Sequence, residues 1–294
     1  MSEIIIPQGG KRTMASGVKR DHRGQEKTAD SRPPKEAPRN AYTPMFEHFR
    51  SELDEHHDRR MKIGKVSRDV TALSKKIIFS LQRVRNLNQP LPAQTRADVE
   101  DRIKEIAGLL ATIEADVAGM NRYRYPLICL EEFVEAVSFS HYLQHQKLVT
   151  PAQAQAALPA DIVLTPPDYV FGVFDLTGEM MRFATAVTAL TGSMPGSRPH
   201  GEEAGYGRTI LKDIQDVDSM LQISPQVGGK SAVYSKKLDI MTEQVRKVER
   251  LGYSMKIRGG ERPKGWVPDI EDPGRRGGGG GRGGGEDQED AAMD

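Results

Sequence analysis

Two short segments of the sequence each place a pair of carboxylates among large apolar residues. The first, LEEFVEAVSFSHY at residues 130–142, carries Glu132 and Glu135, which share a helical face because they are three residues apart. The second, YVFGVFDLTGEMMRFA at residues 169–184, carries Asp175 and Glu179 four residues apart on one stripe. A buried, ionised carboxylate costs several kcal/mol in desolvation unless a cation or hydrogen-bond donors offset that cost. Both pairs therefore require a positive partner.

The residues alone leave four interpretations of these carboxylates open. They could form salt bridges with Arg or Lys of other helices, lie at a polar subunit interface, face solvent, or hold a divalent metal ion. Carboxylate oxygens suit Mg²⁺ or Mn²⁺, and such an ion can activate a bound water and neutralise charge on a phosphate, which is the chemistry of phosphodiester hydrolysis. Glu131 points about a quarter-turn away toward surroundings without lysine, and we expect it to be exposed and incidental.

Other kinds of catalytic site have little support. A di-iron bundle requires Glu-x-x-His motifs, but the third residue after Glu135 is Ser138 and the third after Asp175 is Gly178. His56 and His57 are more simply interpreted as exposed or half-buried side chains of the first helix. The sequence has no P-loop, no Gly-x-Ser-x-Gly motif and no metal-spaced Cys/His group.

The composition separates a core from two polar ends. The chain has 294 residues, 37% of them hydrophobic, and a net charge of +1 that hides strong local segregation. We expect residues 1–40, which are basic and rich in Pro and Gly, and residues 263–294, which contain GRRGGGGGRGGGEDQEDAAMD, to be disordered tails. Residues 41–262 are then the helical domain. The pairs Lys11-Arg12 and Lys19-Arg20 fit either a nuclear address or a solvated basic tail.

The cellular context follows from what the sequence lacks. Cys129 is the only cysteine, so an internal disulfide and a Cys-based zinc site are excluded, and we expect a small buried side chain in a reducing compartment. There is no hydrophobic signal region and no run of apolar residues long enough to span a membrane. We therefore expect a cytoplasmic and nuclear protein without a membrane partner.

Helical periodicity dominates residues 43–123. The first helix is predicted to begin at Thr43-Pro44 and to run for about 40 residues, with Phe46, Phe49 and Leu53 near its start. Its later apolar positions step by three and four: Ile63, Val66, Val70, Leu73, Ile77, Leu81 and Val84. A second helix is predicted to open at Thr95 with Asp98 as a capping-box partner. It has near-heptad order: Val99, Ile103, Ile106, Leu110, Ile113, Val117 and Met120.

The same periodicity continues to residue 258. A third helix is predicted at about 126–147, and a short one begins at Thr150-Pro151 with Gln153 as its capping-box partner. A long helix is predicted from Thr165, with Asp168 in its first turn, to about Ala189, and another helix at about 207–222. The last helix stops at Gly259-Gly260 and carries a stripe: Tyr234, Leu238, Met241, Val245, Val248 and Met255. No core segment shows convincing strand alternation. The sequence predicts an all-α bundle of about six to seven helices, several of them long, and favours oligomerisation.

Four blocks in order resemble the translin-associated factor X (TRAX) group of the translin family. They are ELDEHHDRR...KVSRDVTALSKKIIFSLQR, EEFVEAVSFSHYL, DYVFGVFDLTGEMMR and SKKLDIMTEQVRKVERLGYSMKIRG, and the resemblance covers residues 46–262. It implies an all-helical protein that forms a hetero-oligomer with a translin-like subunit and binds single-stranded RNA or DNA. It also implies a metal-dependent endoribonuclease, acting on passenger strands of small RNAs and on pre-tRNA fragments.

The resemblance assigns roles to the four carboxylates. It implies that Glu132, Glu135 and Asp175 are catalytic and hold Mg²⁺ or Mn²⁺, with Glu179 as a fourth ligand or support. Translin resembles this fold but lacks these acids, so their presence implies the active type of subunit. The alternative is a non-catalytic structural partner that binds nucleic acid and stabilises translin.

Two segments depart from what the resemblance implies for the family core. They are the Pro/Gly loop after Thr191 and the Gly/Arg-rich tail, whose Arg275, Arg276 and Arg282 could make weak, sequence-blind contacts to RNA phosphate. A passive solubilising tail is an equally good interpretation.

Overall fold

The computed structural model describes residues 39–159, 161–196, 208–223 and 231–258, which contain helices and no strand. The helices in these ranges are α1 Thr43–Leu81, α2 Ala93–Ala111, α3 Glu114–Val117, α4 Asn121–Arg124, α5 Cys129–His145, α6 Pro151–Ala156, α7 Pro166–Thr191, α8 Ile210–Ile223 and α9 Ser231–Arg258. Three of them, α3, α4 and α6, have six residues or fewer. The predicted all-α fold with six to seven substantial helices is confirmed.

The chain divides into two compact units, one up to Asp54 and one from Glu55 onward. In the first unit, the described residues carry the first turns of α1, where Phe46, Phe49 and Leu53 are exposed. In the second unit, the remainder of α1 buries the predicted stripe: Ile63, Val66, Val70, Leu73, Ile77 and Leu81. The 39 residues of α1 agree with the predicted start and length.

The predicted second helix is wrong at both ends. It begins at Ala93, directly after Pro92, and neither Thr95 nor Asp98 caps it. It ends at Ala111, where the Thr112 hydroxyl donates to the Leu109 carbonyl and so competes with continued helical bonding. The rest of the heptad stripe falls on the short α3 and the turn before α4, where Met120 is exposed. The residues of this heptad stripe therefore belong to three separate segments and not to one continuous helix.

α5 and α7 are the central helices of the second unit. Each buries apolar side chains on most of its surface, including Phe133, Phe139, Phe171 and Phe174, which is typical of a helix enclosed by others. α5 packs along α7, and α7 also packs against α8 and α9. Any carboxylate on the inner faces of α5 and α7 is consequently removed from solvent.

Local capping chemistry fixes the beginnings of α6 and α7 as predicted. Thr150 and Gln153 form a reciprocal capping box at the start of α6. Asp168 accepts a hydrogen bond from the Thr165 backbone N–H at the start of α7, and it also pairs with the guanidinium of the buried Arg122. This buried ion pair holds the N-terminus of α7 to α4. Asp175 and Glu179 lie further along the same helix.

Cys129 begins α5, three residues after the predicted start, and its thiol is buried as predicted. Burial raises the pKa of this thiol to about 11. The helices of the described residues include none long and apolar enough to cross a membrane. Apart from residues 39 and 40, the two predicted tails lie outside the described residues, and with them lie Arg275, Arg276, Arg282 and the Lys11-Arg12 and Lys19-Arg20 pairs, so these predictions stay open.

Candidate metal-binding site

The four predicted carboxylates belong to one electrostatic cluster between α5 and α7. Glu135 and Glu179 are buried, whereas Glu132 and Asp175 are half-buried. The charges of Asp175, Glu132 and Glu179 all act on the carboxyl group of Glu135. The acidic faces of the two helices therefore meet, which the spacing within each pair could not decide.

A lysine from α9 neutralises part of this cluster. The ammonium of Lys237 lies 2.7 Å from both carboxylate oxygens of Asp175 and 3.7 Å from an oxygen of Glu131. The same ammonium lies 5.5 Å from the centre of the Phe171 ring. Lys237 thus joins the acidic residues of α5 and α7 from a third helix.

The remaining partners come from α1, from the turn that follows it and from α7. Lys75 lies 3.9 Å from Glu132, a loose ion pair, and the Gln82 amide donates to Glu179 over 2.9 Å. The second oxygen of Glu179 lies 3.5 Å from Arg182. Because both of its oxygens are engaged, Glu179 is better placed as a support than as a freely available ligand.

Glu135 differs from its neighbours because no cation in the described residues lies within ion-pair distance of it. Its pKa is raised from an ordinary value of 4.5 to about 8. Burial is the largest cause, the charges of Asp175, Glu132 and Glu179 add to it, and Lys237 offsets part of it. Burial also raises the pKa of Glu132, while Lys75 opposes that shift. A further positive charge beside Glu135 would therefore be strongly favoured.

Replacing Glu135 by Gln is expected to change how the stability of the metal-free chain depends on pH. Because the folded-state pKa lies above 4.5, the folded state keeps a proton that the unfolded state has lost, so stability falls as pH rises from 4.5 through about 8. E135Q should remove that fall and stabilise the chain near the upper end of this range by roughly 2–4 kcal/mol. Denaturant unfolding in EDTA at several pH values measures this. An E135Q curve with the wild-type pH slope would contradict it.

Gly172 explains how the two acidic helices approach closely. A Cβ atom at this position would lie 2.6 Å from the Cβ of Val134 and 2.7 Å from the Glu131 carbonyl oxygen on α5. On the other side, the Thr177 hydroxyl donates to the Gln244 side chain over 2.6 Å and ties α7 to α9. Close packing at Gly172 sets the separation of Glu132 and Glu135 from Asp175.

The donor chemistry of the cluster fits a divalent cation. Five carboxylates, Glu131, Glu132, Glu135, Asp175 and Glu179, face three basic side chains, Lys75, Arg182 and Lys237, so negative charge is in excess. One turn beyond Glu135, the fully buried Ser138 hydroxyl has no hydrogen-bond partner among the residues that the structure describes. However, within the described ranges no three His, Cys, Asp or Glu side chains are spaced to hold one ion together. In the present side-chain positions, Lys237 pairs with Asp175 and Glu131 and so neutralises part of the negative charge of the cluster.

One prediction about the site is wrong and several residues were missed. Glu131 was expected in exposed, lysine-free surroundings, but it is half-buried and paired with Lys237, because α9 packs over this end of α7. The partners Lys75, Gln82, Lys237 and Gln244 were not predicted. A signal existed, because Lys237 and Gln244 interrupt the apolar stripe of α9 that Tyr234 and Met241 define. Asp175 thus forms a salt bridge, to Lys237, as one of the four interpretations predicts. A metal-binding role for the four acids stays a prediction.

A separate cavity of about 660 Å³ lies among α5, α7 and α8. Its walls include Val173, Leu176 and Met180, which occupy a different face of α7 from Asp175 and Glu179. The polar groups at its rim already bind one another, since the Tyr142 hydroxyl donates to Asp213 over 2.7 Å. The walls of this cavity are mainly apolar, and its carboxylates Asp213 and Asp216 already pair with Arg208, so the acidic cluster is the better candidate active site.

These observations define an all-helical protein with a carboxylate cluster buried between its two central helices. Residues 58–259, more than half of the chain, match the Translin family, and the chain belongs to that family. It is 28% identical to Translin-associated protein X of Rattus norvegicus in an alignment of 254 positions that covers 76% of this chain and 82% of the relative. It is also 28% identical to the Translin-associated protein X homolog of Schizosaccharomyces pombe over 222 residues, 74% and 89% of the two chains.

Solved structures of two further proteins are similar to this chain. The crystal structure of apo-NeC3PO has 15% identity and a TM-score of 0.47, covering 72% of this chain and 97% of the other. The crystal structure of AfC3PO has 18% identity and a TM-score of 0.46, with the same coverage. Similarity at this level carries no argument about activity. Family membership rests on the sequence match, which confirms the predicted relationship.

Proposed function

We propose that the chain is the catalytic subunit of a complex with a translin-like partner and that it cleaves single-stranded RNA by metal-dependent phosphodiester hydrolysis. The observation that carries the proposal is the buried Glu135 carboxylate, which lies beside other carboxylates without a cation of its own. The chain's membership in the Translin family and its similarity to proteins named Translin-associated protein X support a translin-like partner. The family resemblance implies passenger strands of small RNAs and pre-tRNA fragments as substrates.

The residues of the cluster would have different roles. Glu132, Glu135 and Asp175 would hold Mg²⁺ or Mn²⁺ through carboxylate oxygens, the ligands that these ions prefer. Glu179, fixed by Gln82, would support them. When bound, the ion supplies an activated water and neutralises charge on the scissile phosphate. The close packing of α5 on α7 at Gly172 holds the backbones that carry the acids near each other.

A cleavage assay with metal removed and restored tests this proposal. The chain is purified with its partner and incubated with labelled single-stranded RNA in Mg²⁺, in EDTA, and in EDTA followed by excess Mg²⁺. We expect cleavage in Mg²⁺, its loss by at least about a hundredfold in EDTA, and its recovery when Mg²⁺ is restored. Cleavage that persists in EDTA would contradict the proposed chemistry.

A second candidate function is a non-catalytic subunit that binds nucleic acid and stabilises its partner. It is favoured by one specific observation, that Lys237 already neutralises Asp175 through both carboxylate oxygens. In the same assay, this alternative predicts RNA binding without cleavage at any Mg²⁺ concentration. The two functions therefore give opposite results in a single experiment.

A further inference from the structure

Lys237 is the most tightly engaged cation of the acidic cluster. Its ammonium contacts both oxygens of Asp175 at 2.7 Å, whereas Lys75 and Arg182 approach their carboxylates only to 3.9 and 3.5 Å. Its side chain is also only 20% exposed, compared with 54% for Lys75 and 60% for Arg182. An ion pair removed from solvent in this way is screened less than one at the surface.

The position of Lys237 limits what else Asp175 can bind. Because both oxygens of Asp175 face one ammonium, a second cation cannot contact both oxygens from that side without displacing Lys237. The ammonium also approaches Glu131, so it spans the acidic faces of both helices. The spacing of the remaining acids agrees with this, because no three potential ligands in the described part of the chain gather around one point.

We propose that Lys237 is a built-in competitor for the divalent cation: its ammonium occupies the acidic cluster until the ion displaces it from Asp175. The inference rests on the proposed function and adds a residue that controls the affinity of its metal site. A divalent ion carries twice the charge of the ammonium, and its binding would draw Glu132 and Glu135 toward Asp175, because these side chains are not gathered around one point while Lys237 holds Asp175. The Lys237 ammonium lies 5.5 Å from the centre of the Phe171 ring, and its flexible four-carbon stem allows it to move along the cluster without unfolding α9.

The competition predicts a change in metal affinity that does not depend on activity. Lys237→Met keeps an unbranched side chain of similar bulk and removes the charge. Lys236→Met is the matched control, because it removes the same charge from the adjacent, exposed position of α9. Mn²⁺ is titrated into the full-length wild-type chain and each variant, and free Mn²⁺ is measured by electron paramagnetic resonance. We expect K237M to bind Mn²⁺ at least about tenfold more tightly than wild type, and K236M to stay within about twofold.

Thermal unfolding gives a second readout on the same proteins. In EDTA, K237M should unfold at a lower temperature than wild type, because Asp175 loses its counter-ion, and Mn²⁺ should stabilise it more than it stabilises wild type. Lys237→Gln, which is also uncharged, tests the same expectation if K237M does not fold. Equal or weaker Mn²⁺ binding by the folded uncharged variant would overturn the role of Lys237 while leaving the cleavage proposal in place. No Mn²⁺ binding by any of the proteins would overturn both.

Discussion

Glu135→Gln should lower cleavage of single-stranded RNA by the purified complex by at least about a hundredfold, and Asp175→Asn should do the same. Each change removes one negative oxygen ligand from the acidic cluster while keeping the size of the side chain. Glu135 is the more informative position because no neighbouring cation holds it in the described structure. The rate is measured in a single turnover at saturating Mg²⁺, so that a change in RNA binding does not mask the chemical step.

The matched control for this exchange is Glu105→Gln. Glu105 is exposed on α2, outside the cluster, and its loss should leave cleavage within about twofold of wild type. Size-exclusion chromatography and RNA-binding measurements on all variants should give wild-type values, since the exchanges are isosteric. Wild-type cleavage by E135Q and D175N would remove both residues from the site and favour the non-catalytic function.

Gly172→Ala should destabilise the chain by roughly 2–3 kcal/mol and weaken cation binding at the same time. The added methyl group would lie 2.6 Å from the Val134 Cβ and 2.7 Å from a backbone oxygen of α5. Neither atom is the far end of a flexible side chain, so α5 and α7 must move apart. That movement separates Glu132 and Glu135 from Asp175. Denaturant unfolding and Mn²⁺ titration measure the two effects.

Gly64→Ala is the control for helix propensity. Gly64 also lies within a helix, but nothing is within 4 Å of an added Cβ atom there. The exchange should therefore stabilise the chain by up to about 1 kcal/mol through lower unfolded-state entropy and better helix propensity. If G172A behaved like G64A, the close approach at Gly172 would not control the packing of the two acidic helices.

Much of the fold could be predicted because local signals and burial agree in most helices. α1, α6 and α7 carry a clear first-turn proline or capping residue, and their beginnings were predicted within a residue. α2 could not be placed in the same way, because heptad spacing specifies a face but not an unbroken helix. Thr112 and the left-handed Gly119 divide that stripe among α2, the short α3 and the turn before α4 without removing Val117 from the core.

The acids of the site could be predicted, but their partners could not. Glu132, Glu135, Asp175 and Glu179 stand out because helical spacing places charge on apolar faces. Their contacts with Lys75, Gln82 and Lys237 depend on which helices pack together, and this is set by shape at positions such as Gly172 and not by the local pattern. Glu131 was misplaced for the same reason, since its exposure depends on the position of α9.

The measurement that tests the central claim most directly is the location of Mn²⁺ in crystals of the chain by anomalous scattering. The proposed function predicts an anomalous peak between α5 and α7, at about 2 Å from carboxylate oxygens of Glu132, Glu135 and Asp175. It also predicts that the Lys237 ammonium no longer contacts both oxygens of Asp175. A peak at other residues, or no peak at this cluster in crystals of a complex that cleaves RNA, would contradict the assignment.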